Sequence, residues 1–273
     1  MKRYFDTKNQ RLVYVNEAAT EAFWDNHWAN QPDPSKPDAS GGLVGRIKAF
    51  LRNDFVLDAT RSYLPKGGRV LEGGCGQGQH VVTLSHAGYE AVGLDFAPET
   101  ITQLKDRHPE LEFEQGDVRE LPFADGSFDG YWSLGVIEHF WDGYEPIARE
   151  MYRVLRPGGF LFLTFPQLSQ LRKWKAGREY FPELPGDEEP EGFYQFALDA
   201  SLIAKDFESQ GFSLVEKRGL SGLKGLKDET EGLRPLLQNL YSSRSVPARG
   251  IKRIISPALA RIAGHSALLV LQR

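Results

Sequence analysis

The residues best suited to chemistry recur at the ends of short apolar runs in the middle of the chain. Residues 70–78 read VLEGGCGQG, a run that breaks into Gly74, Gly76 and Gly78 with Glu72 ahead of them. A glycine-rich turn at the end of a strand lets a ligand approach the backbone, and the free amides of the next helix favour negative charge. Two details narrow that ligand. A dinucleotide fingerprint needs Gly-x-Gly-x-x-Gly or Ala, but counting from Gly74 its last position is Gln79. Glu72 would also repel a pyrophosphate. Asp95 ends a second run 17 residues after Gly78, where an acidic side chain can accept two ribose hydroxyls. Asp117, in Gly116-Asp117-Val118, ends a third. The expected ligand is largely free of phosphate and offers donors to carboxylates. Taken alone, the glycine turn also reads as a tight strand-to-helix connection.

Other residues carry weaker signals. Glu138 and His139 follow the fourth run, and an imidazole there has a pKa suited to taking a proton from a hydroxyl or amine. A satisfied structural histidine fits the same position equally well, and His80 reads as a helix-start residue. Trp24 and Trp28, four apart, share one helix face beside Phe23; packing and lid roles both suit them. The stretch between residues 167 and 198 interrupts the pattern, and connections of that length are often binding loops. Trp174, Tyr180, Phe181, Phe193, Tyr194 and Gln195 are its candidate substrate walls, and its acidic run at 187–191 reads as a solvated loop.

Elements must position these groups. From residue 69 onward strands and helices alternate: RVLEG, a helix at about 79–87, EAVGLD, a helix at about 98–107, LEFEQGD, FDGYWSL, a helix at about 143–155, then FLFLTF. That order predicts an α/β fold, a doubly wound, mostly parallel sheet with helices on both faces. Residues 201–210 read as a further helix, SLVEKRGL and ALLVLQR as two more strands, with an insertion at about 221–264 between them. Ahead of the sheet, residues 16–28 read as a helix capped by Asn16, residues 31–42 hold three prolines and read as a mobile linker, and 43–63 return to helical periodicity. The expected organisation is an N-terminal helix and linker over 1–42, a candidate lid, and one domain over 43–273.

Composition excludes some classes. The longest apolar runs fall far short of the ~20 residues of a membrane-spanning helix, and the N-terminus lacks a signal-peptide apolar stretch. One cysteine, Cys75, excludes an internal disulfide or a cysteine zinc cluster, so a cytoplasmic location and no metal are expected. The net charge of −4 is uneven: beyond Glu231 there is no Asp or Glu, seven Lys and Arg give +7, and the first 231 residues carry −11. Residues 249–264 combine a helical stripe of Ile251, Ile254, Ile255, Ala258, Leu259 and Ile262 with Arg249, Lys252, Arg253 and Arg261. Contact with an anionic membrane and a surface helix packed on the domain both suit it. Nucleic acid is not expected as a partner.

The motifs VLEGGCGQG, GLDFAPETI, GDVRELPFADGSFDGYWSLGVIEHF and VLRPGGFLFLTFP, over about 69–166, resemble class I S-adenosylmethionine-dependent methyltransferases of the type 11-like, small-molecule and lipid group. The resemblance implies a Rossmann-like seven-stranded sheet of order 3-2-1-4-5-7-6 and methyl transfer to an oxygen or nitrogen of a small-molecule or lipid-like acceptor. It implies that Glu72, Gly73, Gly74, Gly76 and Gly78 face the methionine part of S-adenosylmethionine. Asp95 takes the ribose, Phe96 lies against adenine, Asp117 and Val118 hold it, and the Ser133 carbonyl meets the ammonium. Gly73 stands where the family more often has an aliphatic residue. FWDNHW is similar to the N-terminal segment of thiopurine-type methyltransferases, whose tryptophans lie over the cofactor, so Trp24 and Trp28 join the cofactor set. Glu138 and His139 become candidate catalytic residues. A dinucleotide oxidoreductase, disfavoured by Gln79 and Glu72, and a non-catalytic interaction protein retaining the fold are the rival readings.

Overall fold

The chain opens with an antiparallel hairpin, β1 (Lys2–Asp6) and β2 (Arg11–Val15), followed by α1 (Glu21–Ala29) and α2 (Phe55–Tyr63). The computed structural model describes residues 1–30, 55–243 and 245–273. The linker expected over 31–42 and the first part of the helix expected over 43–63 lie outside the described residues. The alternation then follows expectation: β3 (Arg69–Gly73), α3 (Gln79–His86), β4 (Glu90–Asp95), α4 (Pro98–Arg107), β5 (Glu112–Gln115), β6 (Phe128–Leu134), α5 (Glu145–Val154) and β7 (Leu155–Pro166). There follow α6 (Gln170–Ala176), β8 (Phe193–Ala197), α7 (Ala200–Ser209), β9 (Ser213–Leu220), α8 (Gly222–Glu229), α9 (Arg234–Ser242), α10 (Val246–Ala263) and β10 (Ser266–Gln272).

Seven strands form one sheet in the order β5-β4-β3-β6-β7-β10-β9. Numbered along the sheet's own strands this is the expected 3-2-1-4-5-7-6. β3 pairs in parallel with β4 and β6, and β9 pairs antiparallel with β10. The hairpin was not expected. β2 pairs antiparallel with β8, so β1, β2 and β8 make a separate three-stranded sheet that uses part of the 167–198 stretch.

By its contacts the chain divides into two compact units. One comprises Thr20–Leu134, Pro146–Leu161 and Arg273. Its interior is built on Val70, Leu71, Val92, Leu94 and Trp132, all fully buried, and the Trp132 indole donates to Thr60 Oγ1 at 2.9 Å. α5 buries Ile147, Ala148, Met151 and Val154, the recurrence by three and four that places side chains on one helix face. Here α1 starts later than expected. Thr20, not Asn16, is the cap, accepting from the Phe23 amide. Asn16 instead belongs to the other unit, where its amide donates to the Gly192 carbonyl at 2.8 Å just past β2.

The other unit comprises Met1–Ala19, Gly135–Glu145 and Phe162–Gln272. Leu12, Tyr14, Leu168, Phe181 and Ala197 form an apolar cluster on its small sheet. A buried carboxylate, Glu229, accepts from Arg3 Nη1 at 2.7 Å, Arg172 Nε at 2.9 Å and Lys175 Nζ at 3.0 Å. These bonds hold β1, α6 and α8 together.

Candidate functional site

In the first unit, the end of β3 is strapped to the end of β4. The Gly74 and Cys75 amides both donate to the Leu94 carbonyl, at 2.7 and 3.0 Å. The Gly76 amide donates to Asp95 Oδ2 at 2.8 Å, and the Ala97 amide to Asp95 Oδ1 at 3.1 Å. Burial raises the Asp95 carboxyl above its ordinary pKa, and the amides of Ala97, Gly76 and Phe96 only partly offset this. The three amides leave the carboxylate an acceptor position for a further donor. Glu72, directly ahead of the loop, is also buried. The Cys75 thiol is pushed well up by burial, so it stays protonated and is no nucleophile.

Trp28 lies on this loop. Gly76 has φ +48°, and a Cβ there would stand 2.7 Å from Cζ2 of the Trp28 ring, so only glycine permits both the turn and the ring. Gln77 Nε2 donates to the Trp28 carbonyl at 2.8 Å. Trp24 stacks on Trp28 with centroids 5.7 Å apart. Asp25, between them, accepts from the Thr100 amide and hydroxyl at 3.1 and 3.0 Å and ties α1 to the first turn of α4. Sequence reasoning missed this contact; its only signal is an acid that can meet a helix's free amides. Phe96 is exposed, Val118 buried and Ser133 fully buried. Asp117 accepts the Arg119 amide and the fork of its guanidinium, which holds the carboxyl below the usual range.

In the second unit, a single 3₁₀ turn (Ile137–His139) carries the other candidates. Glu138 is 2% exposed and its Oε2 has no hydrogen-bond partner among the described residues. Burial pushes its carboxyl up to about 8. His139 Nδ1 stands 2.7 Å from the Tyr194 carbonyl. A carbonyl only accepts, so Nδ1 carries the hydrogen and Nε2 the lone pair. Burial lowers the imidazole to about 4, outweighing the Tyr194 bond, so the ring is neutral near pH 7.

The expected substrate walls separate into three groups. Tyr194 accompanies His139, with rings edge to face at 5.2 Å. Phe181 and Phe193 are interior, Phe181 in the small sheet's cluster and Phe193 against Trp141 and Phe196, while Gln195 stands opposite Tyr14 in the β2–β8 ladder. Trp174 and Tyr180 are exposed, each under a cation: Arg178 at 4.1 Å and Lys175 at 3.8 Å. No group of three or more His, Cys, Asp or Glu among the described residues is placed to hold a metal.

A family profile described as a methyltransferase domain matches residues 71–163. A probable S-adenosylmethionine-dependent methyltransferase of Mycolicibacterium smegmatis is 31% identical over 188 residues, 68% of this chain and 68% of that protein. A probable phthiotriol/phenolphthiotriol dimycocerosates methyltransferase of Mycobacterium ulcerans is 38% identical over 172 residues, 60% of each chain. Among solved structures, the [4+2]-cyclase SpnF matches with a TM-score of 0.54 at 20% identity, covering 95% of this chain and 98% of its own, a likeness of fold alone. With the matched motifs on a sheet of this order, the chain belongs to the S-adenosylmethionine-dependent methyltransferases.

Proposed function

We propose that this chain transfers the methyl group of S-adenosylmethionine to an oxygen or nitrogen of a small-molecule or lipid-like acceptor. The observation that carries the cofactor assignment is the buried Asp95 carboxylate, bound to the amide of Gly76 and still able to accept ribose hydroxyls. Bound S-adenosylmethionine supplies a methyl group already activated by its sulfonium and leaves as S-adenosylhomocysteine. Glu72 and the loop of Gly73, Gly74, Gly76 and Gly78 receive the methionine part, with the Ser133 carbonyl as acceptor for its ammonium. Phe96, Asp117 and Val118 receive the adenine. Asp117 has at most one acceptor position left there, because the Arg119 amide, Nε and Nη2 share its two oxygens. Trp24 and Trp28 shield the sulfonium by cation–π attraction and exclude water. α1 is thus the lid.

His139 is the proposed proton acceptor. Its Nδ1–H bond to Tyr194 fixes the tautomer that leaves Nε2 basic. Glu138, neutral near pH 7, positions that turn without placing a second charge beside the acceptor. Tyr194, Trp174 and Tyr180 are the walls with surface to offer. Phe181, Phe193 and Gln195 would shape an acceptor site from behind, through packing and the strand ladder.

The lipid-like class draws on the relative named for phthiotriol and phenolphthiotriol dimycocerosates. A cytoplasmic location is part of the same proposal; no helix among the described residues is long and apolar enough to cross a membrane. Calorimetry with S-adenosylmethionine, S-adenosylhomocysteine and NADH tests the assignment. We expect the two sulfur ligands to bind and NADH not to; the reverse result overturns it. His139→Ala should slow single turnover while S-adenosylhomocysteine still binds, and an unchanged rate removes His139 from the chemistry.

A further inference from the structure

α10 turns three alanines inward and three isoleucines outward, with Ile255 and Leu259 half-buried between the two faces. Ala248, Ala260 and Ala263 are buried, whereas Ile251 is 47%, Ile254 77% and Ile262 60% exposed. The inward face is fixed by close backbone approach to α8. A Cβ at Gly222 would stand 2.6 Å from the Leu259 carbonyl carbon, and one at Gly225 2.9 Å from that of Ala263. Only small side chains fit this contact, so Ile251, Ile254 and Ile262 are left on the outward side. At a period of 3.6, positions 251, 254 and 262 fall on one outward stripe.

α9 continues the surface. It has no buried residue, and Leu236 is 69%, Leu233 51% and Tyr241 40% exposed. Lys252 Nζ clasps the two helices together by donating to the carbonyls of Tyr241 and Ser243 at 3.0 and 2.8 Å. Single exposed apolar residues are ordinary. Among the described residues, six of the twelve large exposed apolar side chains lie between positions 233 and 262, and such a concentration marks an interaction surface.

Charge selects the occupant. Arg234, Arg253 and Arg261 are exposed on these helices, and residues 232–273 hold no acid. A second copy docked here would set Arg234, Arg253 and Arg261 against their own copies with no acid to pair them. An anionic bilayer offers both an apolar layer for isoleucine and phosphates for arginine.

We propose that α9 and α10 dock the protein on anionic lipid bilayers, with Ile251, Ile254 and Ile262 entering the acyl boundary and Arg253 and Arg261 at the phosphates. The docking suits the lipid-like acceptor reading but does not rest on it, because it is measured without S-adenosylmethionine. The test is sedimentation of the full chain with vesicles of phosphatidylcholine alone and of phosphatidylcholine mixed with phosphatidylglycerol. We expect binding to the mixed vesicles only, weakening as salt rises. Arg253→Ala and Arg261→Ala should each weaken it about fivefold. Ile254→Asp with Ile262→Asp should abolish it while leaving the melting temperature unchanged, since both side chains face outward. Absence of binding at low salt overturns the proposal, as does binding that survives the double aspartate variant. A dimer in light scattering that those aspartates dissociate would assign the surface to a second copy and overturn it too.

Discussion

The phenol of Tyr131 fills the volume that a side chain at Gly73 would occupy: a Cβ at position 73 would stand 2.7 Å from Tyr131 Cζ. The two residues are on neighbouring strands, where Gly73 pairs with Ser133 and Leu71 with Tyr131. Gly73, where the family more often has an aliphatic residue, therefore leaves no gap at the strand end. The side-chain volume at this point comes from β6, not β3.

A double-mutant cycle tests this exchange. Gly73→Val alone should overpack the site and cost about 1–3 kcal/mol or more, and Tyr131→Val alone should open a cavity at about 2 kcal/mol or more. Together they should cost less than the sum, with a coupling of about 0.5–3 kcal/mol read from urea unfolding. Additive costs would mean that the two positions do not share one space. Tyr131→Phe should be neutral or stabilising, because the buried hydroxyl has no hydrogen-bond partner among the described residues.

Asp95 should couple cofactor affinity to pH. Its raised pKa reflects burial only partly offset by three backbone amides, and hydroxyl donors of a bound ribose would favour the ionised form. Affinity for S-adenosylhomocysteine should be level near neutral pH and fall as pH drops through that raised pKa. Asp95→Asn should weaken binding by about 1.5–3 kcal/mol, the range for hydrogen bonds to a charged group. Calorimetry across an acid series checks both, and a pH-independent affinity would take Asp95 out of the ribose contact.

Glu138 and His139 should leave opposite marks on stability. The Glu138 carboxyl rises from 4.5 to about 8 on folding, so between those values the folded state binds the extra proton and stability falls as pH rises, by about 1.4 kcal/mol per unit. His139 drops from 6.5 to about 4, so between those values the unfolded state binds the extra proton and stability rises with pH. The two slopes oppose one another between 4.5 and 6.5, and from 6.5 to 8 only the Glu138 loss remains. Glu138→Gln should flatten the fall in melting temperature over that upper window. An unchanged fall would locate its cause elsewhere.

The central sheet was legible because β3, β4, β6 and β7 are short apolar runs separated by amphipathic helices with clear ends. The places of the glycine loop and Asp95, at the carboxyl ends of β3 and β4, could be read for the same reason. The hairpin was not legible. β2 buries Leu12, Val13 and Tyr14 consecutively, so it lacks the alternation that betrays a strand with one wet face. Without it, residues 16–28 read as a helix with Asn16 as its cap. Phe181 and Phe193 looked like pocket walls because nothing in the chain reveals that β8 returns to pair with β2. The Asp25–Thr100 and Arg172–Glu229 contacts join positions 75 and 57 residues apart, and one sequence carries no record of such pairs.

Glu229 should be the costliest single polar residue to remove. Burial alone would raise its carboxyl, but Arg172, Arg3 and Lys175 outweigh burial and hold it below its ordinary value. Its contribution is therefore present above the unfolded value of 4.5 and is lost as pH falls through the lowered one. Glu229→Ala strands Arg172 and Lys175, both buried, and should cost about 3–5 kcal/mol, the range for breaking a buried pair by removing one partner. Glu229→Gln keeps the acceptor oxygen and should cost less. Replacing Glu229, Arg172 and Lys175 together by apolar residues of similar volume should recover much of the loss, since no charge is then left without its counterion. Urea unfolding of the three variants checks the order. A triple variant less stable than Glu229→Ala would mean that the cluster contributes by its own net attraction rather than by neutralising buried charge.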